Sequence, residues 1–154
     1  MRILAISDTH GRKEETLDII QRLGACDLLV HLGDGAADIE KYRSYINADV
    51  LLIKGNNDFG DYPLKHVLRI GGQSILCTHG HMLGVKQSQE KLADEATKCG
   101  CSIALYGHTH IISDNTANGV RLINPGSVGY PYGRRGAVEI TDDGGELNVK
   151  VIIL

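Results

Sequence analysis

The first half of the chain alternates short apolar runs with segments of helical periodicity. Apolar residues fill 3–6, 28–32 and 50–53, and helix-like segments at 12–23 and 37–46 separate them. Short apolar runs are typical of buried strands, whereas apolar positions that recur every three to four residues indicate helices with one buried face. The order strand, helix, strand, helix, strand predicts a parallel sheet with right-handed crossovers.

Beyond residue 63 the pattern changes to hairpins. The predicted elements are strands at 67–70 and 74–78 around Gly71-Gly72, a helix at 86–99, a strand at 103–106, hairpins that turn at 118–119 and 142–145, and a final strand at 149–154. We therefore expect a mostly antiparallel second half, and an α/β protein in which two packed sheets carry helices outside. The length of 154 residues is typical of one domain, so we predict a single domain over 1–154.

Composition and charge narrow the choice of partners. The chain has 16 basic and 19 acidic residues, spread evenly, so its net charge of -3 predicts no stable nucleic-acid complex. No apolar run approaches the roughly 18 residues of a membrane span, and no leader pattern follows Met1. We therefore expect a cytoplasmic protein without membrane contact. The four cysteines form no Cys-x-x-Cys pair, which favours reduced thiols over disulfides or a zinc knuckle.

Side chains that can bind metals follow five of the predicted strands. They are Asp8 with His10, Asp34, Asn56, His79, and His108 with His110. Taken singly, each has an ordinary explanation as a helix cap, a turn residue or an imidazole bonded to a backbone carbonyl. Taken together they predict a shared site, because the carboxyl ends of parallel strands meet at one edge of a sheet.

The donor set favours two metal ions over one. Seven side chains are too many for a single zinc ion, which usually takes four ligands, and they include no thiolate. If Asp34 bridges two ions, each receives four protein ligands. Mixed imidazole and carboxylate donors suit Mn, Fe, Ni or Zn, among which the sequence does not choose. Two such ions lower the pKa of a shared water and hold a phosphoryl oxygen, so we expect hydrolysis of phosphate esters.

The chain resembles calcineurin-like metallophosphoesterases, which use short motifs in a fixed order. The matching motifs are Asp8-Thr9-His10, Gly33-Asp34, Gly55-Asn56, His79-Gly80-His81 and Gly107-His108-Thr109-His110. The compact size and the segment 123–127 are similar to the small YfcE-type phosphodiesterase branch. The resemblance implies a four-layer α/β/β/α sandwich, a dinuclear centre often filled with manganese, and in-line attack by a metal-bound hydroxide. By motif, one ion would be held by Asp8, His10, Asp34 and His110, and the other by Asp34, Asn56, His79 and His108.

Two further positions bear on proton transfer. Many larger relatives place a histidine directly after the ligand asparagine, where this chain has Asn57. An amide cannot donate a proton near neutral pH, so the leaving alkoxide would depend on His81, on water or on its own low basicity. We take His81 and Asn57 as the candidate catalytic positions, and we expect a small phosphodiester or activated ester as substrate rather than an alkyl monoester.

Arg134 and Arg135 are the candidate substrate-binding residues, because a guanidinium offers oxyanions a bidentate fork. The alternative explanation is a solvated turn. The sequence leaves the physiological substrate open, and it is compatible with a homo-oligomer.

Two other functional classes fit less well. A dinucleotide-binding module would need Gly-x-Gly-x-x-Gly after the first strand, where the chain has Ser7-Asp8-Thr9-His10-Gly11. A non-catalytic scaffold is the stronger rival, because the same fold resembles the retromer subunit Vps29, a metal-binding protein-interaction module. A scaffold tolerates the loss of ligands, yet all seven positions here carry competent donors. The sequence therefore favours an enzyme.

Overall fold

The computed structural model describes residues 1–154 and places the predicted elements of the first half close to their expected bounds. These elements are β1 (Arg2–Ile6), α1 (Lys13–Leu23), β2 (Leu28–His31), α2 (Ala36–Lys41) and β3 (Asp49–Leu52). The helix predicted to reach residue 46 ends earlier, and a short 3-10 helix, Arg43–Tyr45, follows it. Aromatic residues and serine favour helices less than alanine or leucine, which agrees with the tightening of the chain there.

The second half contains seven strands and one α-helix. They are β4 (Lys65–Ile70), β5 (Gln73–Thr78), α3 (Glu90–Lys98), β6 (Ile103–Leu105), β7 (Ile112–Ala117), β8 (Val120–Pro125), β9 (Gly136–Asp142) and β10 (Leu147–Ile153). A 3-10 helix, His81–Leu83, follows β5. The third helix begins four residues later than predicted, because Gln87 and Ser88 donate to the carbonyl of Gly84 in a turn, and the Ser88 hydroxyl accepts the amide of Glu90.

The strands form two mixed five-stranded sheets. The order is β10-β9-β1-β2-β3 in the first sheet and β4-β5-β6-β8-β7 in the second. In the first sheet β1, β2 and β3 are parallel as predicted, and the C-terminal hairpin adds β9 antiparallel to β1. The prediction of a mostly antiparallel second half is wrong at the centre of the second sheet, where β5, β6 and β8 are parallel. The reason is that α3 crosses over between β5 and β6, and β7 forms an excursion that returns β8 parallel to β6.

Three apolar clusters fill the spaces between the layers of the molecule. The central cluster lies between the sheets and contains Ile3 and Ala5 of β1, whereas Leu4 and Ile6 point to the other side of the same strand and pack with Ile19 of α1. A third cluster packs α3 against the outer face of the second sheet. Strand side chains alternate between faces, so β1 contributes to two layers at once. The predicted α/β/β/α order of layers is confirmed.

Two further predictions concerned the cysteines and membrane contact. All four cysteines are free thiols, with Cys77 and Cys101 buried. None of the helices combines the length and the apolar character that crossing a bilayer takes.

Candidate metal centre

The predicted ligands gather where the carboxyl ends of strands from both sheets meet. Asp8 and His10 follow β1, Asp34 follows β2, Asn56 follows β3, His79 follows β5, and His108 and His110 follow β6. Six of these residues form two groups in which all donor atoms lie within 4.8 Å of one another. The seventh, Asn56, places its Oδ1 3.2 Å from Nε2 of His79. The structure therefore brings all seven together.

The first group contains Asp8, His10 and His110. Oδ1 of Asp8 lies 3.2 Å from Nε2 of His110 and 3.4 Å from Nε2 of His10. The two imidazole nitrogens are 3.1 Å apart. Three donors thus converge on one small volume.

The second group contains Asp34, His79 and His108, with Asn56 beside them. Oδ2 of Asp34 lies 3.3 Å from Nε2 of His79 and 3.7 Å from Nε2 of His10, which belongs to the first group. The Asp34 carboxylate therefore contacts both groups, which is the placement that a bridging ligand requires.

The backbone at the candidate ligands is strained. Among the non-glycine residues, positive φ occurs only at Asp8, His10, Asp34, His108, His110 and the turn residue Asn118. The left-handed region costs an L-residue about 1 kcal/mol or more, and such outliers cluster at functional sites. Glycine would relieve this strain but would supply no donor atom. The side chains at these five positions are therefore retained at a cost in backbone energy.

One buried oxygen shows that the donor set fits a cation. Oδ2 of Asp8 accepts from the Ser7 hydroxyl and from the amide of His108, but the buried Oδ1 has no hydrogen-bond partner. A nearby imidazole also has its tautomer fixed, because Nδ1 of His110 lies 2.9 Å from the Tyr130 carbonyl, which can only accept. The neutral ring then directs the lone pair of its Nε2 at Asp8 Oδ1. Two lone pairs face each other, and a divalent ion between them would satisfy both.

The His79 ring is fixed in the same way. Its Nδ1 lies 2.8 Å from the carbonyl of Leu32, so the neutral ring carries its proton there and leaves Nε2 free as a donor to a metal. The side chain is fully buried. Backbone carbonyls thus set the tautomers of both His79 and His110.

The electrostatics of the site favour anionic carboxylates. Burial opposes the ionisation of Asp8, but the nearby imidazoles of His10 and His110 outweigh it and hold the pKa of the carboxyl far below its ordinary value. Burial likewise opposes ionisation of Asp34, whereas its contacts with His79 and the amide of Asn57 lower its pKa to about 2. Both buried carboxylates lie within 4 Å of Nε2 of His79, and two anions around one imidazole need compensating positive charge, which bound cations would supply.

The histidines divide into two types. Burial opposes protonation of His79, yet its contact with Asp34 and the charge of Asp8 raise its pKa. The Asp8 carboxylate, whose Oδ1 lies 3.2 Å from Nε2 of His110, raises the pKa of His110. Burial, followed by the charges of His79 and Lys86, lowers the pKa of His108 to about 4.

The two candidate catalytic positions lie at the second group. The amide of Asn57 donates 2.8 Å bonds to Asp34 from both its backbone and its side chain, the latter to Oδ2. Asn57 therefore orients the carboxylate that contacts both groups. The His81 ring lies 5.3 Å from that of His79 and 6.2 Å from that of His108, centroid to centroid. Its role in proton transfer stays a prediction.

The sequence reasoning missed Asp58, which organises the loop that carries Asp34. Its carboxylate accepts four backbone amides, from Asp34, Gly35, Ala36 and Gly55, at 2.8–3.0 Å. In the sequence, Asp58 is only an acidic residue at the end of a run of residue types that commonly form turns, 55–58. Repeated amide bonds to one carboxylate depend on the folded path of two separate loops, so no local signal could have shown them.

The arginines predicted as substrate contacts lie away from this arrangement. Arg134 and Arg135 line a cleft against α1, together with Glu15, Asp18 and Arg22. None of the seven candidate ligands lines that cleft, and substrate contact by the two arginines stays a prediction without structural support.

Other cations are closer to the centre, and the sequence reasoning did not single them out. The Arg12 guanidinium lies 4.8 Å above the ring of Tyr130, whose carbonyl binds His110. The ammonium of Lys86 acts on the pKa of both His108 and His110.

Known proteins are similar to this chain in sequence and in fold. A sequence model described as the calcineurin-like phosphoesterase superfamily domain matches residues 1–142. The probable metallophosphoesterase YsnB of Bacillus subtilis is 37% identical over 137 residues, which cover 88% of this chain and 79% of that protein. Phosphodiesterase YfcE of Escherichia coli is 25% identical over 159 aligned positions, which cover 86% of this chain and 82% of that protein.

A solved structure of Vps29 is also similar. Vps29 of Entamoeba histolytica, complexed with zinc, superposes with a TM-score of 0.70 at 22% identity, covering 99% of each chain. At this identity the likeness shows the fold alone. The predicted enzyme class, a metal-dependent phosphoesterase, is confirmed by the family match and by relatives that are named metallophosphoesterase and phosphodiesterase. The chain belongs to the calcineurin-like phosphoesterase superfamily.

Proposed function

We propose that residues 1–154 act as one domain that hydrolyses small phosphodiesters with two divalent ions, for which manganese is our first expectation. The observation that carries the proposal is the contact of the Asp34 carboxylate with both donor groups, 3.3 Å from Nε2 of His79 and 3.7 Å from Nε2 of His10. Imidazole, carboxylate and amide donors without a thiolate suit Mn, Fe, Ni or Zn.

The candidate ligands form two sets, one for each ion. Asp8, His10 and His110 would hold one ion and His79, His108 and Asn56 the other, with Asp34 common to both. The bound pair would act as Lewis acids that polarise the phosphoryl group and lower the pKa of a water molecule. Asn57 would keep Oδ2 of Asp34 aimed between the two groups, at its present hydrogen-bond distance of 2.8 Å.

The absence of a strong acid at Asn57 supports diesters as substrates. A carboxamide holds the Asp34 carboxylate but has no proton to give at neutral pH, so the leaving oxygen is protonated by water or His81, or departs as a weakly basic alkoxide. A diester also carries one negative charge where an alkyl monoester carries two. It therefore needs less positive charge around its phosphoryl oxygens.

A scaffold of the Vps29 type is the second candidate function. A zinc-complexed Vps29 shares the fold, so metal binding alone does not separate a scaffold from an enzyme. The complete set of seven donors, with both carboxylates buried at the strand ends, favours the enzyme. Turnover is the property that distinguishes the two.

The experiment is metal analysis combined with an ester panel. The protein is stripped with a chelator and dialysed against Mn, Zn, Ni or Mg, and the bound metal is counted by mass spectrometry. Hydrolysis of bis(p-nitrophenyl) phosphate is then compared with hydrolysis of p-nitrophenyl phosphate. We expect two ions per chain and faster turnover of the diester.

The matched variants are Asp34→Asn and Asp49→Asn. Asp49 is exposed at the amino end of β3, away from the carboxyl ends that carry the ligands. Asp34→Asn should lose at least one ion and about a hundredfold or more of diester turnover, because a shared ligand and its charge are removed. Asp49→Asn should keep both. Two ions without turnover of any ester would favour the scaffold, and activity of Asp34→Asn near that of the wild type would refute the bridge.

The remaining expectations about partners and location stay predictions. They are a small phosphate ester as substrate, no stable nucleic-acid complex, no membrane contact, a cytoplasmic location and compatibility with a homo-oligomer.

A further inference from the structure

A chain of buried polar side chains adjoins the first donor group. Thr9 stands between the candidate ligands Asp8 and His10 in the sequence, and it is fully buried. Its hydroxyl lies 2.6 Å from Oδ2 of Asp38 and 3.1 Å from Nε2 of His31. Both of these partners are buried as well. Buried polar groups that are bonded to one another in this way hold the elements that carry them in one arrangement.

The direction of each hydrogen bond in the chain is fixed. The amide of Gly33 can only donate, and it does so to Nδ1 of His31 at 3.2 Å. The neutral ring therefore carries its proton on Nε2 and donates it to the Thr9 hydroxyl. The hydroxyl in turn gives its one proton to the Asp38 carboxylate at 2.6 Å, in preference to the carbonyl of Gly35 at 3.5 Å. The chain thus runs from His31 through Thr9 to Asp38.

The two ends of the chain reach the loops that carry candidate ligands. Gly33, the donor at one end, directly precedes the shared candidate Asp34. Gly11 directly follows His10, and its amide donates to Oδ2 of Asp38 at 2.8 Å at the other end. The chain therefore links the loop after β1 to the loop after β2, and it does so beside three of the seven candidate ligands.

The packing around the Thr9 hydroxyl leaves it no second position. A Cβ on Gly35 would collide with this hydroxyl and would lie 2.9 Å from Oδ2 of Asp38. The backbone at Gly35 therefore closes over the hydrogen bond between the two side chains. Side chains that are confined in this way fix the position of one loop relative to another.

The loop after β1 needs an anchor of this kind. Asp8 and His10 both adopt positive φ, at 56° and 46°, which costs backbone energy. Their own side chains cannot hold the loop and also remain free to bind an ion. Thr9 is the one residue between them, so its side chain is the nearest that can serve as the anchor.

We propose that His31, Thr9 and Asp38 are positioning residues that hold the first donor group in place relative to the shared carboxylate of the centre. Their loss should weaken binding of the ion held by that group more than binding of the other ion. The proposal rests on the proposed dinuclear function. None of the three residues is a candidate ligand, and their polar atoms are bonded to one another. Removing hydrogen-bonded partners of metal ligands typically costs about 10–100-fold in metal affinity or activity, which sets the scale of the effect.

The test compares Thr9→Val, which keeps a similar shape and removes the hydroxyl, with Thr9→Ser, which keeps the hydroxyl. Metal-stripped protein is titrated with Mn²⁺, and free Mn²⁺ is followed by electron paramagnetic resonance. We expect Thr9→Val to bind one ion about tenfold or more weakly and the other within about twofold of the wild type. Thr9→Ser should bind both ions within about threefold of the wild type.

Nuclear magnetic resonance identifies the weakened ion and tests the chain of bonds directly. Substoichiometric Mn²⁺ broadens the signals of the imidazoles nearest to the filled site, so in Thr9→Val it should broaden those of the second donor group before those of the first. In the metal-free wild type, the nitrogen signals of His31 should show a proton on Nε2 and none on Nδ1. This second measurement does not depend on the folding of any variant. A proton on Nδ1 would overturn the proposal.

Steady-state kinetics on bis(p-nitrophenyl) phosphate give a further readout. At saturating Mn²⁺, Thr9→Val should lower kcat about tenfold or more and leave KM within about twofold, because the residue holds the ligands and does not contact the substrate. Asp38→Ala should act in the same direction. The double variant should be little worse than the more affected single variant, because both changes break the same chain of bonds.

The matched control is Thr16→Val. Thr16 is a buried threonine of α1, and its hydroxyl donates a 2.6 Å bond to the carbonyl of Arg12 in the same segment. The change removes a buried hydroxyl that is not bonded to the loop of Asp34, so kcat and the affinity for both ions should stay within about twofold of the wild type. Urea unfolding of the metal-free variants is measured alongside. Whatever stability the two valine variants lose, only Thr9→Val should lose metal affinity.

The outcomes separate this proposal from the function on which it rests. Wild-type affinity of Thr9→Val for both ions, an equal loss for both ions, or a loss that Thr9→Ser or Thr16→Val shares would overturn the positioning role and leave the proposed function standing. A wild-type protein that binds fewer than two ions, or that hydrolyses no diester, would overturn the proposed function and the positioning role with it.

Discussion

Replacing Asp58 by asparagine should destabilise the protein strongly, although the side chain keeps its size. The carboxylate accepts the amides of Asp34 and Gly55 on Oδ2 and those of Gly35 and Ala36 on Oδ1, all at 2.8–3.0 Å. Asparagine keeps one oxygen and turns an NH₂ group toward the other two amides. Two bonds to a charged acceptor, each worth about 1.5–3 kcal/mol, are then lost, so we expect a loss of about 3–5 kcal/mol.

The measurement is urea unfolding of the metal-free protein, followed by circular dichroism, so that altered metal affinity does not enter the result. The matched control is Asp61→Asn, an exposed carboxylate three residues further along the same loop. It forms no ion pair or side-chain hydrogen bond and should shift the free energy of unfolding by no more than about 0.5 kcal/mol. A loss of about 3–5 kcal/mol is a large share of the stability of a typical domain, so the midpoint should move clearly.

The same change should also weaken metal binding, because Asp58 sets the path of the Asp34 loop. A loss for Asp58→Asn below about 1 kcal/mol would refute the reasoning, since even one ordinary hydrogen bond is worth that much. If Asp61→Asn lowered the free energy of unfolding as much as Asp58→Asn does, any change in this loop would be destabilising. The four amide bonds to Asp58 would then not explain the loss.

Three further predictions concern stability and the centre. Burial lowers the pKa of His31 to about 4, so the folded state keeps the ring neutral while the unfolded chain takes up a proton below about pH 6.5. The free energy of unfolding should therefore decrease by about 2 kcal/mol as the pH is lowered from 7.5 to 5. His31→Gln should lose that part of the pH dependence in urea titrations. Gly107→Ala would place a Cβ in collision with Oγ of Ser7 and 2.7 Å from Oδ2 of Asp8, so we expect a loss of about 1–3 kcal/mol of stability and weaker metal binding. A variant with unchanged stability and affinity would contradict this contact. Mn²⁺ at about a hundred times its Kd should stabilise the fold by about 2.7 kcal/mol and raise Tm by about 5–10 °C in a thermal scan. A chelator should abolish this increase in Tm, and Asp34→Asn should reduce it.

The order of strand-like and helix-like segments was sufficient to predict two packed sheets with helices outside, and the resemblance implied the four-layer order. Alternation in β1 assigns Ile3 and Ala5 to one face and Leu4 and Ile6 to the other, and this pattern holds in the structure. The pairing of the second sheet was not predictable in the same way. Whether β8 returns parallel or antiparallel to β6 depends on how β7 is placed between them, and local alternation looks the same in both arrangements.

The limits of sequence reasoning at the site have a similar cause. Each metal ligand candidate follows a strand, so the sheet topology was enough to bring these residues together. Arg134 and Lys86 show the opposite case, since their positions depend on loops. Residue type made Arg134 the attractive phosphate contact, but its loop places it in a cleft against α1, whereas Lys86, on the turn before α3, acts electrostatically on His108 and His110. Charge in the sequence identifies candidates, and only the path of the loop shows which of them reaches the site.

The positive φ angles at the candidate ligands indicate that packing against the rest of the fold holds the loops of the site in place. Asp8, His10, Asp34, His108 and His110 adopt this conformation in adjoining loops, and although Asp and His adopt it more readily than most residues, it still costs backbone energy. The cost must therefore be met by tertiary packing, such as the amide bonds to Asp58 and the close approach of Gly107 to Ser7. In a zinc finger the metal supplies the folding energy and the ligands are disordered without it. Here the layers are packed by their own apolar clusters, so the free energy of metal binding remains available to orient substrate and stabilise developing charge.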